Sequence, residues 1–594
     1  MTTIKMRGLY QPHLLAAAVA LGISAQAHAV EFNIGEIEGR FDSSLSVGAS
    51  WAVRGADPDY ISPNNTMGKR GAAGSATVDD GRLNFKKGET FSKIFKGLHD
   101  LELKYGDGGA FIRGKYWYDF ELKDEHRLFY DIDDSGRDDL AKSSGAEFLD
   151  AFLYYNYNLG ELPGNVRFGK QVVSWGESTF IQNGINVINP LDVAALRRPG
   201  AEVKEGLIPV NMFYLSQGLA ENLTAEGFYQ LQWEKTIIDN CGTFFGADAV
   251  QQGCNDRLSA AGPDFPQGDP RLNVAANSAY VPRLKDDDAR DSGQYGLALR
   301  WFVPELNDTE FGAYYMNYHS RNPFINTIAT TGATGPGAAA INTVRNTRFF
   351  IDYPEDIRMY GLSFQTNVGG TSLGGEISFR PNQPLQLSSP DFLGAALGRQ
   401  TPVNPTGLQA SQRGQEMTAY KRMPVFQAQM TATQFFDQIW GASRLTLVGE
   451  IGYNRINGLG DTDGSDLRFG RSPVFGAGPS VFASNACVPS ATTNAKCSNH
   501  GFYTTNSWGY QARARLDYSN VIAGINLAPT VAWQHSVDGY GPNFDEGSKA
   551  ISIGVDADYL TKYTASLSYT DFFGGNFSTN GDRDFVALSV GVNF

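Results

Sequence analysis

Stretches that alternate apolar and polar residues with a period of two constrain this chain more than any other feature. In 110–122, Ile112, Tyr116, Tyr118 and Phe120 point one way while Arg113, Lys115, Asp119 and Glu121 point the other. In 222–234, Leu223, Ala225, Tyr229, Leu231 and Trp233 oppose Thr224, Glu226, Gln230, Gln232 and Glu234. In 444–454, Leu445, Leu447, Ile451 and Tyr453 oppose Arg444, Thr446, Glu450 and Asn454. In 510–518, Tyr510, Ala512, Ala514, Leu516 and Tyr518 oppose Gln511, Arg513, Arg515 and Asp517. A period of two is the signature of a strand with two unlike faces. The segment 584–594 repeats it, with Val586, Leu588, Val590, Val592 and Phe594 on one face. Such a last strand has an unprotected edge unless it pairs, and pairing it with the first strand closes a barrel.

About eighteen strands can be read this way, and the links between them alternate in length. Those at 105–109, 158–164, 219–222, 304–308, 368–371, 437–442, 520–525 and 558–560 are short. Those at 54–98, 174–207, 236–292, 319–357, 381–426 and 457–507 are long. Short turns on one side and long loops on the other mark an all-β transmembrane antiparallel barrel of the outer-membrane kind, with extracellular loops and periplasmic turns. The charged faces then line the lumen. Two strands are weak, 207–218, which Pro209 interrupts, and 41–54. If one hairpin is misread, the count falls to about sixteen, and either size can hold a channel or a plug. The outward faces would contact outer-membrane lipid.

Residues 1–29 read as a signal peptide, leaving 30–594 as the barrel domain. Lys5 and Arg7 precede the apolar run 14–23, and Ala27-His28-Ala29 supplies the cleavage site. No later run of about eighteen apolar residues offers a membrane-spanning helix. The net charge of −14 argues against a nucleic-acid partner, which needs a basic face. Four cysteines fall in two close pairs within long loops. Export to an oxidising compartment makes Cys241–Cys254 and Cys487–Cys497 the economical disulfides. Neither pair has zinc spacing, and no cofactor is implied.

The segment 169–199 has no regular period and holds Trp175, Glu177, Phe180, Asn183, Asn186, Asn189 and two prolines. Long structureless loops often carry function. Folded into the barrel, it would narrow the pore. Glu177, Asn186 and Asn189 would anchor it to the wall, Trp175 and Phe180 would contact an apolar solute, and Arg197 or Arg198 would meet an anionic group. The plainer alternative is a solvated loop packed on the rim. In the lumen, Arg113, Lys115, Arg167, Arg444, Arg513 and Arg515 would face Asp119, Glu121, Glu226, Glu450 and Asp517. These either orient charged solutes or pair to stiffen the wall. The acidic stretches 131–136 and 461–466 suggest calcium loops, but Lys142 stands where the helix-loop-helix glutamate belongs, so they read better as solvated turns. No enzyme motif is present, and nothing singles out His126, His319 or His535 as catalytic.

The stretches Gly169-Lys170-Gln171-Val172-Val173-Ser174-Trp175-Gly176-Glu177-Ser178, 183–192 and Asp79-Asp80-Gly81-Arg82-Leu83-Asn84-Phe85 resemble the proteobacterial family called domain of unknown function 1302. The resemblance runs through most of the chain after residue 29 and is tightest over 167–192. It implies an outer-membrane protein that works with a periplasmic partner and an exporter of the resistance-nodulation-division type. It also implies movement of a hydrophobic or amphiphilic, lipid-like molecule. A diffusion porin for polar solutes and a non-transporting surface or assembly barrel are the alternatives.

Overall fold

The structure is a computed structural model that describes residues 30–246, 248–251, 257–266, 268–273, 279–332, 338–482 and 498–594. Eighteen antiparallel strands close into one barrel. In chain order they are Ile37–Ala52, Thr90–Tyr105, Gly108–Asp119, Ser144–Leu159, Leu162–Gln171, Val210–Ala220, Leu223–Gln230, Gln294–Val303, Thr309–Tyr318, Ile357–Val368, Thr371–Gln386, Tyr420–Asp437, Arg444–Ile456, Asn506–Ile522, Ile525–Asp538, Ser548–Tyr559, Tyr563–Gly574 and Phe585–Asn593. Each pairs with its neighbours in the chain, so sequence order is spatial order.

Closure is made by the last strand against the first, with Ser44 opposite Asn593 and Ala52 opposite Phe585. Phe594 adds two main-chain bonds to Ser43, at 2.6 and 2.9 Å. Below that point the edge of the first strand is taken by a short strand, Val30–Ile34, which folds back with Val30 opposite Phe41. The exposed donors and acceptors that an open edge would present are thus covered.

The links show why the register holds. Val368 and Thr371 close a hairpin through Gly369 and Gly370, whose φ angles are +59° and +86°. Two successive positive φ values suit the right-handed twist of a two-residue hairpin, and glycine adopts them without a Cβ clash. The outward faces carry Leu153, Phe168, Phe213, Leu297, Leu362 and Ile553, all exposed. On one strand Leu297 is 61% exposed and the next residue, Ala298, 2%. Tyrosines flank this apolar band. Tyr315 lies 5.2 Å from Tyr360 and 6.2 Å from Tyr295 at the loop end, and Tyr559 lies 6.2 Å from Tyr563 at the turn end. An apolar belt between aromatic girdles is the surface of a barrel that spans a bilayer. No helix among the described residues is long and apolar enough to cross a membrane.

Several expected boundaries move. The third strand stops at Asp119 rather than residue 122, because the Asp119 side chain accepts from the N–H groups of Glu121 and Leu122 and caps a short helix, Phe120–Asp124. Glu121 therefore lies past the end of its own strand and binds Thr90 and Lys93 of the second strand and Arg127. The seventh strand ends at Gln230, so Trp233 and Glu234 belong to a loop. The two weak strands are real: one begins at Val210, just past Pro209, and the other is Ile37–Ala52. The count of sixteen is not needed. Residues 1–29 and Cys254, Cys487 and Cys497 lie outside the described residues, so the signal peptide and both disulfides stand as expectations.

Candidate functional site

Between Gln171 and Val210 the chain leaves the wall and enters the lumen. Its base is braced by Asn189, whose amide donates to the carbonyls of Gln171 (3.2 Å) and Ile208 (2.9 Å) while its oxygen accepts from Val173 N–H. Pro190 and Pro209 keep the returning arms from joining the sheet, since proline offers no ladder donor. Trp175 is 1% exposed and packs with Ile185, Ile188, Met212, Phe228 and Tyr314. Its indole N–H donates to Glu226 at 2.7 Å, and Glu226 also takes Tyr214 Oη at 2.9 Å and Arg300 at 2.7 Å.

The strap is pinned across the bore by two wall carboxylates. Glu376 accepts the backbone N–H groups of Glu177 (2.6 Å) and Ile185 (2.8 Å). Glu450 accepts those of Thr179 (3.2 Å), Phe180 (2.5 Å) and Ile181 (2.9 Å). Backbone donors without secondary structure need acceptors when they leave water, and ionised carboxylates make the stronger bonds. Arg380 returns a bond to the Gly184 carbonyl at 2.5 Å, Gln427 to Gln182 at 2.9 Å, and Asn183 reaches Asn543 at 2.6 Å. Further along, Asp192 caps a short helix, Val193–Arg197, and accepts from Lys115 Nζ at 2.8 Å. Lys96 binds Glu205 at 2.5 Å and the Gly200 carbonyl at 2.6 Å. A Cβ at Gly48 in the first strand would lie 2.8 Å from Pro199, so the strap lies close against that strand there.

This strap divides the lumen. On the turn side lies a chamber of about 1040 Å³, bordered by Arg40, Asp100, Glu202, Arg515, Asp517 and Asp556. On the loop side lies one of about 460 Å³, bordered by Phe180, Val187, Tyr318, Phe324, Leu385 and Val425, with Arg321 and Arg380 among them. Many charges of the first are paired, with carboxylates in excess. Arg515 meets Asp517 (2.9 Å) and Asp556 (3.3 Å), Arg113 meets Asp100 (2.7 Å) and Asp150 (3.3 Å), and Arg40 meets Asp42 (2.8 Å).

The expected residues are brought together only in part. Phe180 borders the loop-side chamber. Trp175 is sealed inside the wall packing and offers no surface to a solute. Asn186 bonds Ser174 within the strap (2.9 Å), and the Glu177 carboxylate reaches only Ser363 at 3.5 Å, so neither side chain is the main anchor. Arg197 pairs with Asp239 and covers Phe245, while Arg198 donates to the Leu140 carbonyl (3.1 Å) and stacks on Trp117. Both arginines serve structure rather than an anionic solute. Arg167 stacks on Tyr214 at 4.3 Å. Arg444 stands at the turn-end rim, about half exposed, paired with Asp437 at 3.1 Å, and is not a mid-lumen group. Arg513 shares the face of Arg515 and has no ion pair among the described residues. Lys115 and Asp119 are turned inward but spent, on Asp192 and on Ser92.

Glu376, Arg380, Gln427 and Arg300 were missed. Their signal was an inward polar residue on strands whose other inward positions are small or uncharged, as in Glu376-Ile377-Ser378-Phe379-Arg380. The acidic loops are ordinary turns. Asp131 accepts from Arg127 N–H and His126, Asp133 from Ser135, Asp463 from Ser465 and Asp466 from Asp461 N–H. His319 lies between the Ser292 carbonyl and Asp356 N–H, and His535 packs against Tyr510 and Trp533. None of these three histidines is bonded to a serine hydroxyl among the described residues.

The model of the family described as "Protein of unknown function (DUF1302)" matches residues 11–594. No curated protein matches the chain. Among solved structures, OccAB1 of Acinetobacter baumannii is 10% identical with a TM-score of 0.39, covering 96% of this chain and 99% of its own. OpdK of Pseudomonas aeruginosa with vanillate is 9% identical with a TM-score of 0.37, covering 93% and 98%. OmpF of Salmonella typhi complexed with daunomycin is 9% identical with a TM-score of 0.34, covering 95% and 100%.

Proposed function

The chain belongs to the family described as protein of unknown function DUF1302, and from that premise we propose that it is an outer-membrane channel for a hydrophobic or amphiphilic, lipid-like compound. The observation that carries this reading is the strap pinned by Glu376 and Glu450, which leaves two chambers, one bordered by many charges and one by few, instead of one open bore. Phe180, Val187, Phe324, Leu385 and Val425 would receive the apolar part of the compound on the loop side. The charges of the turn-side chamber would face its polar end. Delivery or removal at that end falls to a periplasmic partner working with an inner-membrane exporter of the resistance-nodulation-division type, in keeping with the family resemblance.

A diffusion porin for polar solutes is favoured by one observation, the charged lining of the larger chamber. The test is to remove residues 178–184, which supply the Glu450 contacts, and reconstitute both proteins in liposomes. For the lipid channel, wild type passes little of a small polar dye but exchanges a fluorescent fatty acid. The deletion should raise dye leakage about tenfold and weaken the fatty-acid selectivity. If wild type already passes the dye freely and the deletion changes neither rate, the porin is the correct reading.

A further inference from the structure

Three carboxylates from two distant loops converge in the cap over the loop end of the barrel. Asp79 and Asp80 open the short helix Asp80–Asn84, and Asp264 lies in the link before Gln294. One carboxylate oxygen of each lies within 4.8 Å of the other two, and all three residues are buried. The loops are stitched at that spot: Asp264 N–H donates to the Asn64 carbonyl at 2.9 Å, and Thr66 Oγ1 donates to the Asp264 carbonyl at 2.9 Å.

Two of these groups keep an oxygen without a partner. Asp79 is 0% exposed; Oδ2 accepts from Ser62 N–H at 2.7 Å, and Oδ1 has no partner. Asp264 is 7% exposed, and its inward Oδ2 has none either. Asp80 accepts from Tyr130 Oη at 2.7 Å. The neighbouring cations are committed elsewhere. Arg82 makes a two-pronged contact with Asp582 at 2.8 and 2.9 Å, Lys69 donates to the carbonyls of Arg82 and Leu83, and Arg257 donates to the Phe265 carbonyl. Among the described residues no ion pair reaches Asp79 or Asp264. A fourth buried carboxylate, Asp248, lies within the fields of Asp80 and Asp79 and also keeps one oxygen without a partner. Buried carboxylates at this spacing, two of them with an oxygen that lacks a partner, are a set of ligands for a hard cation.

We propose that Asp79, Asp80 and Asp264 hold one divalent cation, calcium in preference to magnesium, which clamps the first long loop onto the loop carrying Asp264. Calcium is preferred because it accepts irregular sets of carboxylate and carbonyl oxygens, whereas magnesium demands near-octahedral geometry and retains its waters. The motif is invisible in sequence because its ligands are far apart, unlike the self-satisfied acidic turns at 131–136 and 461–466.

The test uses the full-length protein in detergent, stripped with chelator and titrated calorimetrically with calcium chloride and, separately, magnesium chloride. One calcium per chain should bind, with affinity of about 1 mM or tighter as in extracellular calcium modules. Asp264→Asn and Asp79→Asn should each weaken binding at least about tenfold, while Asp463→Asn in an exposed turn should not. Terbium provides a readout on the unaltered protein: its luminescence, sensitised by Tyr130 beside Asp80, should appear with one equivalent and be displaced by calcium. No saturable calcium binding together with no sensitised terbium signal overturns the proposal. So does calcium affinity unchanged in Asp264→Asn and Asp79→Asn.

Discussion

At the scale of single residues, the strap depends on acceptors that belong to the wall. A hydrogen bond to a charged group contributes about 1.5–3 kcal/mol, and Glu376 and Glu450 make several each. Glu376→Gln and Glu450→Gln keep the size but replace one acceptor oxygen by a donor, which then faces backbone N–H groups. Each variant should raise small-solute conductance in planar bilayers a few-fold. The double variant should exceed the product of the singles, because both groups hold the same short piece of chain. Conductance equal to wild type in both single variants would show that the strap is held from elsewhere. A second residue-scale prediction lies in the cap. Burial first, then the fields of Asp287 and Glu416, push the Asp352 carboxyl up to about 6. The folded loop therefore holds a proton that the unfolded loop, near 3.8, releases earlier, so local stability falls as pH rises from about 4 to about 6 and is level above that. Hydrogen exchange of Phe324–Ile328 and Arg348–Asp352, corrected for intrinsic rates, should quicken over that window, and Asp352→Asn should abolish the change.

Elements behave as units because their ends are fixed. The strap is anchored at its base by Asn189 and sealed by Trp175, whose ring lies 5.2 Å from Phe228 and 5.8 Å from Tyr314. Trp175→Ala removes that packing and the bond to Glu226, a loss of about 3–5 kcal/mol for a buried tryptophan. The barrel has eighteen laddered strands to survive it. The expected result is a protein that still migrates as a folded barrel in unheated gels but shows noisy, larger single-channel currents. The last strand is the opposite case. Removing 592–594 deletes the bonds between Phe594 and Ser43 and uncovers the edge of the first strand at Ser43–Leu45. Assembly should drop at least about tenfold, measured as the folded fraction in a gel-shift assay.

For the whole molecule, the divided lumen sets the scale of current. An unobstructed barrel of this size encloses a water-filled channel. Here the two chambers meet only around the strap, so wild-type conductance should be several-fold below that of the 178–184 deletion in the same bilayer. The turn-side chamber is bordered by six side-chain carboxylates against four cations, so the current should favour cations at low salt, and that preference should fade as ionic strength rises. An anion-selective current, or no selectivity at low salt, would contradict that excess of carboxylates.

The alternation of faces, the short and long links and the closing last strand were legible in the sequence, because side-chain direction in a strand has period two and links record which side of the bilayer they lie on. Leu223, Ala225 and Tyr229 against Glu226 need no third dimension to be sorted. That the segment after Gln171 folds inward was readable only as one of two possibilities, from its length and its many asparagines. Its anchors were not. Glu376 and Glu450 lie about two hundred residues or more beyond the strap in sequence, and they bind backbone N–H groups, which every residue type carries and no sequence pattern displays. Trp175 was singled out for contact with a solute, whereas the fold buries it, because burial depends on which inward faces meet across the bore. The carboxylates Asp79 and Asp264 likewise became neighbours only when two loops closed over the barrel. A local pattern can specify a strand and its two faces; the assembly of sites from distant loops and walls is settled by tertiary packing alone.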